Sequence, residues 1–262
     1  MKNSVLIFIL FSVMGLSYVL VSVNPLFLMT KEIYSGDVEV LINPNSNPHT
    51  FQLSPSSMKK VKRADILIVF GGGFEEWLSR IKGVKICRLS DVLGKAPEIN
   101  PHVWLDPVLV QAMAVKLESC LEDVYPKESR KMRENLITFL KKLSEEEQSI
   151  ASDLSRYENP LIELRPALYH FVKRFLSSDY ITLVGQSQPS LSPKKLKEVL
   201  RICKREHIKA ILIEKSSSEK IVQPVVRACN LRIIKVDVLG ADAKNFEDLL
   251  DNVKRSVEEA LK

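Results

Sequence analysis

Apolar positions in this chain follow two strand-and-helix alternations separated by one long helical stripe. In the first alternation, Val38-Glu-Val-Leu-Ile42 and Ile66-Leu-Ile-Val-Phe70 are short β-branched runs bounded by turn residues, which predicts strands. Tyr18-Val-Leu-Val-Ser-Val23 reads as a first buried strand. Ser54-Pro55 predicts a helix start, with serine as cap and proline at the first helical position. Asp106-Pro107 repeats the device, and Leu109, Met113, Leu117 and Leu121 then recur at helical spacing.

From Lys127 to Tyr157 the pattern changes. No Gly or Pro lies between Lys127 and Asn159, and Leu136, Leu140, Leu143, Ile150 and Leu154 mark one face, interrupted by Glu147. A helix of about thirty residues would be roughly 45 Å long, which predicts a strut between lobes rather than a core helix. After Asn159-Pro160 the alternation resumes, with strands expected at Leu161–Leu164, Tyr180–Val184, Ala210–Ile213 and Arg232–Val236. Ser192-Pro193 opens a helix carrying Leu196, Val199, Leu200 and Cys203, and a last helix buries Phe246, Leu249, Leu250, Val253 and Val257. The fold class is therefore α/β: two similar lobes, each a parallel sheet flanked by helices, joined by one long backbone helix. The expected boundaries are 18–126 for the N-terminal lobe, 127–157 for the linking helix and 158–262 for the C-terminal lobe.

Residues 1–17 are read separately. Lys2, the apolar run Val5–Met14 and the small residues Gly15 and Ser17 have the form of a secretory signal peptide, although the apolar stretch continues to Val23 and would also suit an uncleaved anchor. The expectation is an exported chain, periplasmic or otherwise extracytoplasmic. No cysteine precedes Cys87, so no lipid anchor through an N-terminal cysteine is expected. Export permits disulfides, and Cys87, Cys120, Cys203 and Cys229 allow three pairings; Cys203, on the apolar stripe of its helix, suits a buried free thiol. The net charge of +6 is modest for 262 residues. No basic run is interleaved with aromatics, so nucleic-acid binding has no support; a mildly basic solvated surface accounts for the charge more simply than an acidic membrane or partner.

The candidate chemistry lies in the histidines. The chain has four, and two sit in identical triplets, Asn47-Pro48-His49 and Asn100-Pro101-His102, each placed before a proline-started helix. Histidine is the commonest metal ligand and proline stiffens the loop that carries it, so the pair suggests one site built from two loops. Two unrelated turn histidines would give the same spacing, since Asn-Pro starts turns. Gly71-Gly-Gly73 lacks a downstream Gly-Lys-Ser/Thr and reads as a turn at a strand end, not a phosphate loop. His207, in Lys-Arg-Glu-His, reads as an exposed helix end.

Longer stretches carry a resemblance. Asn-Pro-His49-Thr-Phe-Gln-Leu-Ser-Pro, Arg63-Ala-Asp-Ile-Leu-Ile-Val-Phe-Gly71, Glu75-Glu-Trp77-Leu and Asn-Pro-His102-Val-Trp104-Leu-Asp106-Pro resemble the zinc/manganese ABC-transporter substrate-binding proteins. So do Gln188-Pro-Ser190, Ile213-Glu214 and Val236-Asp237-Val-Leu-Gly240. The resemblance covers nearly the whole chain from Tyr18 and implies two lobes on a rigid helix with a divalent metal held between them. It implies His49 and His102 as ligands from the N-terminal lobe and Asp237 as a ligand from the C-terminal lobe, donor types that zinc and manganese accept. Glu214 matches a family glutamate and would orient a ligand from behind, or simply end a strand. The His- and acid-rich loop of many zinc-type members has no counterpart here.

At the remaining ligand position the chain departs from the pattern. Aligned on Pro166-Ala167, the residue is Arg165, and His170 stands where the family has tyrosine. Five residues along a helix turn a side chain by about 140°, so His170 is not a simple replacement. Arginine has no lone pair to give, and at about 5 Å from a dication, with an effective dielectric of about 20, it would cost roughly 7 kcal/mol. Three outcomes are open. Arg165 turns away, for example toward Glu163, leaving His49, His102, Asp237 and water around the metal; or it pairs with Asp237 or Glu214 and fills the site; or the cleft takes an anion.

The expectation is a non-enzymatic, monomeric binding component that captures Zn²⁺ or Mn²⁺ as cargo, with no organic cofactor, and delivers it to a membrane permease. The alternative is a degenerate relative binding an anion, a metal chelate or a protein. A metal-dependent hydrolase would use the same three residues, but no general base or substrate pocket is identifiable for it.

Overall fold

The computed structural model describes residues 18–262 apart from 72, 74, 95–99, 186–189 and 207. The expected signal peptide, Gln188-Pro189 and His207 therefore lie outside the described residues. Two four-stranded, all-parallel sheets form the two lobes. The first has β1 (Val19–Val21), β2 (Val38–Val40), β3 (Ile66–Val69) and β4 (Ile86–Arg88) in the order β2-β1-β3-β4. The second has β5 (Leu161–Glu163), β6 (Tyr180–Thr182), β7 (Ala210–Glu214) and β8 (Arg232–Val236) in the order β6-β5-β7-β8. Each lobe thus places its first strand between its second and third. The chain leaves β1 and β3, or β5 and β7, in opposite directions, opening a crevice at their carboxyl ends where open α/β sheets bind ligands.

The helix starts follow the local chemistry read above. Ser54 accepts from the Ser57 N–H to begin α2 (Pro55–Arg63), after α1 (Asn24–Ile33); Asp106 accepts from the Val108 N–H to begin α3 (Pro107–Glu122). Strand β4 had no sequence signal because it is three residues long and only Cys87 in it is buried. Cys87 is joined to Cys120 on α3 by a disulfide, while Cys203 is a buried free thiol and Cys229 is also free.

Helix α4 spans Ser129–Leu154, 26 residues or about 39 Å, shorter than expected because 126–128 form a separate 3₁₀ turn. It links the lobes, yet its stripe of Met132, Leu136, Phe139, Leu143, Ile150 and Leu154 is buried, so it is also a core helix. Phe139, not Leu140, fills the middle of that stripe, and its ring meets Phe246 edge-on at 5.6 Å. Phe246 opens the last helix, α8 (Phe246–Leu261), which follows α5 (Tyr169–Phe175), α6 (Pro193–Glu206) and α7 (Gln223–Cys229). Helices α1, α4 and α8 pack together, and the Lys142 ammonium bridges Glu32 and Glu247 at 3.1 and 2.8 Å. One apolar core therefore runs from the first lobe through α4 and α8 into the inner face of the second. The lobes are also tied directly: Asn24 Nδ2 donates to the Leu239 and Gly240 carbonyls, and Trp104 Nε1 donates to the Val238 carbonyl at 2.8 Å.

Candidate metal centre

Both Asn-Pro-His triplets fold the same way. Asn47 Oδ1 accepts from the His49 N–H at 2.9 Å, and Asn100 Oδ1 accepts from the His102 N–H at 3.0 Å. An asparagine bonding the backbone two residues on makes a tight turn, and the intervening proline fixes its φ. Each histidine is thereby thrown forward at the carboxyl edge of the first sheet. The two rings come together with centroids 5.9 Å apart, so the two loops do build one place. Gly73, with φ +64°, lies beneath: a Cβ there would meet the Pro101 side chain at 3.1 Å, so glycine lets this turn pack against the second triplet.

His102 is buried, its ring tilted against that of Trp104 with centroids 5.0 Å apart. Burial, helped by the nearby rings of His49 and His170, pulls its pKa down to about 3, which keeps a lone pair on the ring at any ordinary pH. His49 stands at the open mouth of the cleft. Its pKa is lowered by partial desolvation first and by the Arg165 guanidinium second.

Arg165 follows β5 and donates from Nη1 to the Gly185 carbonyl at 3.0 Å. Its charge is felt on both sides of the cleft, at His49 and at Glu214, whose pKa burial raises and Arg165 lowers. It does not turn toward Glu163. That carboxylate, fully buried, accepts from the Tyr180 hydroxyl and from the Leu168 N–H at 3.1 Å, and burial holds its pKa well above the usual range. His170 does not face the imidazole pair with Nε2 either; that nitrogen bonds the Asn100 carbonyl at 2.9 Å.

Asp237 follows β8 and accepts from the Asp242 N–H at 3.0 Å. With Glu214 it lines a cavity of about 200 Å³ to which the loop residues Pro44 and Asn45 of the other lobe also contribute. One Glu214 oxygen, Oε1, is buried there without a hydrogen-bond partner. The structure thus brings His49 and His102 together and sets Asp237 with Glu214 at the carboxyl edge of the second sheet. Among the described residues no three His, Cys, Asp or Glu side chains converge on one point. The sequence pattern pointed to the histidines of the triplets and passed over their asparagines. It also passed over Arg174, which grips Asp106 across the lobes with Nε and Nη2 at 2.9–3.2 Å. The triplet repeat was the available signal for the asparagines; Arg174 had none.

A two-lobed α/β chain on one linking helix, with paired imidazoles at the cleft, has the build of a solute-binding protein. The family described as "Zinc-uptake complex component A periplasmic" matches residues 19–260, and the chain belongs to it. A protein of Thermotoga maritima is 27% identical over 251 residues, 93% of this chain and 92% of that one. The crystal structure of ZnuA superposes with a TM-score of 0.85 at 22% identity, over 94% of this chain and 99% of that one. The periplasmic zinc-binding protein TroA of Treponema pallidum gives 0.84 at 17% identity, over 94% and 99%. The two lobes and their linking helix are thus the fold of this family.

Proposed function

We propose that the chain is the extracytoplasmic binding component of a metal-uptake ABC transporter, which captures a divalent metal ion between its lobes and hands it to a membrane permease. The observation that carries the reading is the His49–His102 pair: two neutral imidazoles, delivered by matching turns to one edge of one cleft. Asp237 supplies the carboxylate from the second lobe when the cleft closes on the ion, and water completes the shell. Zinc is the ion favoured, from the donor set and from the zinc bound by relatives such as TroA; manganese is the other candidate. The ion is cargo, no covalent chemistry is required of the protein, and the chain acts as a monomer outside the cytoplasm.

A thermal-denaturation series tests this. Metal-stripped protein should be stabilised by Zn²⁺, and at a free concentration a hundred times Kd the gain should be about 2.7 kcal/mol. His49→Ala or His102→Ala should abolish the response without unfolding the metal-free protein. An unchanged response in both variants would remove the imidazole pair from the site.

One observation favours a second reading. The Arg165 guanidinium, held on the Gly185 carbonyl, lowers the pKa of both His49 and Glu214 and so would act as a tethered cation in the cleft. On that reading metal capture has been lost and the cleft binds an anion, a chelate or a protein. It predicts no response to zinc in the unmodified chain.

A further inference from the structure

We infer that Asn100 is the positioning residue of this site: its side chain sets the tautomer of His102 and latches the facing loop of the other lobe. The inference rests on the metal-capture reading. Four hydrogen bonds converge on Asn100. Its Oδ1 accepts from the His102 N–H at 3.0 Å and lies 2.8 Å from His102 Nδ1. Its Nδ2 donates to the Pro166 carbonyl, and its own carbonyl is 2.9 Å from His170 Nε2.

The chemistry of the partners fixes every donor and acceptor. The Pro166 carbonyl can only accept, so the NH₂ of Asn100 must face it and the amide oxygen must face His102. That oxygen can only accept, so His102 carries its proton on Nδ1, and the lone pair is left on Nε2. A ligating histidine held this way by its other ring nitrogen has its orientation and basicity set before the metal arrives. By the same reasoning His170 carries its proton on Nε2 and spends it on Asn100, so that nitrogen is unavailable to an ion.

The second half of the inference is the latch. Pro166 and His170 belong to the second lobe, and Pro166 directly follows Arg165. One amide therefore orients an N-lobe ligand and grips the loop that carries the cleft's guanidinium. Release of that grip would loosen the loop at Arg165, while the bond from His170 to the Asn100 backbone carbonyl and the Asp106–Arg174 pair hold the neighbouring contacts.

Two substitutions separate the roles. Asn100→Asp keeps an acceptor for His102 Nδ1–H but loses the donor to Pro166. Asn100→Ala loses both. In metal-free protein, nitrogen-detected NMR of the imidazoles should show His102 as the Nδ1–H tautomer in the unmodified chain and in Asn100→Asp, and as a mixture or the Nε2–H form in Asn100→Ala. In chelator competition, Asn100→Ala should lose 10- to 100-fold in zinc affinity while Asn100→Asp stays within about threefold of the unmodified chain. A paramagnetic or fluorescent distance pair across the cleft should report a wider spread in both variants. Retention of the Nδ1–H tautomer in Asn100→Ala, or zinc affinity within about threefold in that variant, would overturn the positioning role. An unchanged distance distribution in Asn100→Asp would overturn the latch. If the unmodified chain takes no zinc, the metal-capture reading fails, and the tautomer comparison still decides what Asn100 does to His102.

Discussion

Glu163 and His102 are both buried ionisable residues, and burial drives each toward its neutral form by opposite shifts. The imidazole becomes a stronger candidate ligand because it stays unprotonated. Burial raises the pKa of Glu163 well above the usual carboxylate range, against the hydrogen bonds from Tyr180 and Leu168 that favour its ionised form. Its folded pKa lies above its unfolded value, so its contribution to stability is whole below the unfolded pKa and is lost as pH rises through the folded one. Glu163→Gln removes that loss. The variant should match the unmodified chain in stability near pH 4 and exceed it near pH 8, by about 1.4 kcal/mol for each unit that the native pKa is raised within that range. Urea denaturation at both pH values checks this; parallel profiles would mean that Glu163 is ionised in the fold. At this scale the sequence was only partly legible. His49 and His102 could be paired from a repeated triplet, because local turn chemistry places them. The direction taken by Arg165 could not, because Glu163 is claimed by Tyr180, seventeen residues away on a neighbouring strand, and no local pattern records that.

Secondary elements were legible where a cap or turn signal opens a buried stripe; α1, which has no side-chain cap, was not among them. Helices α3, α6 and α8 announce themselves through caps and stripes, and the strands with buried β-branched runs through composition. Strand β4 did not, since a three-residue strand with one buried side chain has no period to detect. The element is held instead by chemistry, through the Cys87–Cys120 bridge between β4 and α3. For a sequence separation of 33, cross-linking removes unfolded-state entropy equivalent to about 3–4 kcal/mol at 25 °C. Replacing both cysteines with alanine should lower the stability measured in guanidinium chloride by about that amount, and reductant should then have no further effect. A loss well below about 1 kcal/mol would mean that the bridge joins segments already close in the unfolded chain. Helix α4 shows the converse limit: its length suggested a strut rather than a core helix, while the structure buries one face of it against α1, α3 and α8.

For the whole molecule, the decisive property is that the candidate ligands lie on different lobes. The imidazoles sit at the edge of the first sheet, Asp237 and Glu214 at the edge of the second, and the Asn24, Trp104 and Arg174 contacts fix how the two edges face each other. The strand order repeated in both lobes makes the cleft a meeting of two equivalent crevices. By the family resemblance Arg165 stands at a ligand position, and a dication entering beside it would meet repulsion that two imidazoles and one carboxylate would have to outweigh. The lobed architecture could be read from alternation in the sequence; the balance within the cleft depends on distances that only folding sets. Isothermal titration of metal-stripped protein with Zn²⁺, beside Arg165→His, measures that balance. Metal capture predicts one tight site per chain in the unmodified protein and a tighter one in the variant. No heat in the unmodified protein, with binding restored in Arg165→His, would contradict it and leave a fold that has kept its metal-binding frame and lost its metal.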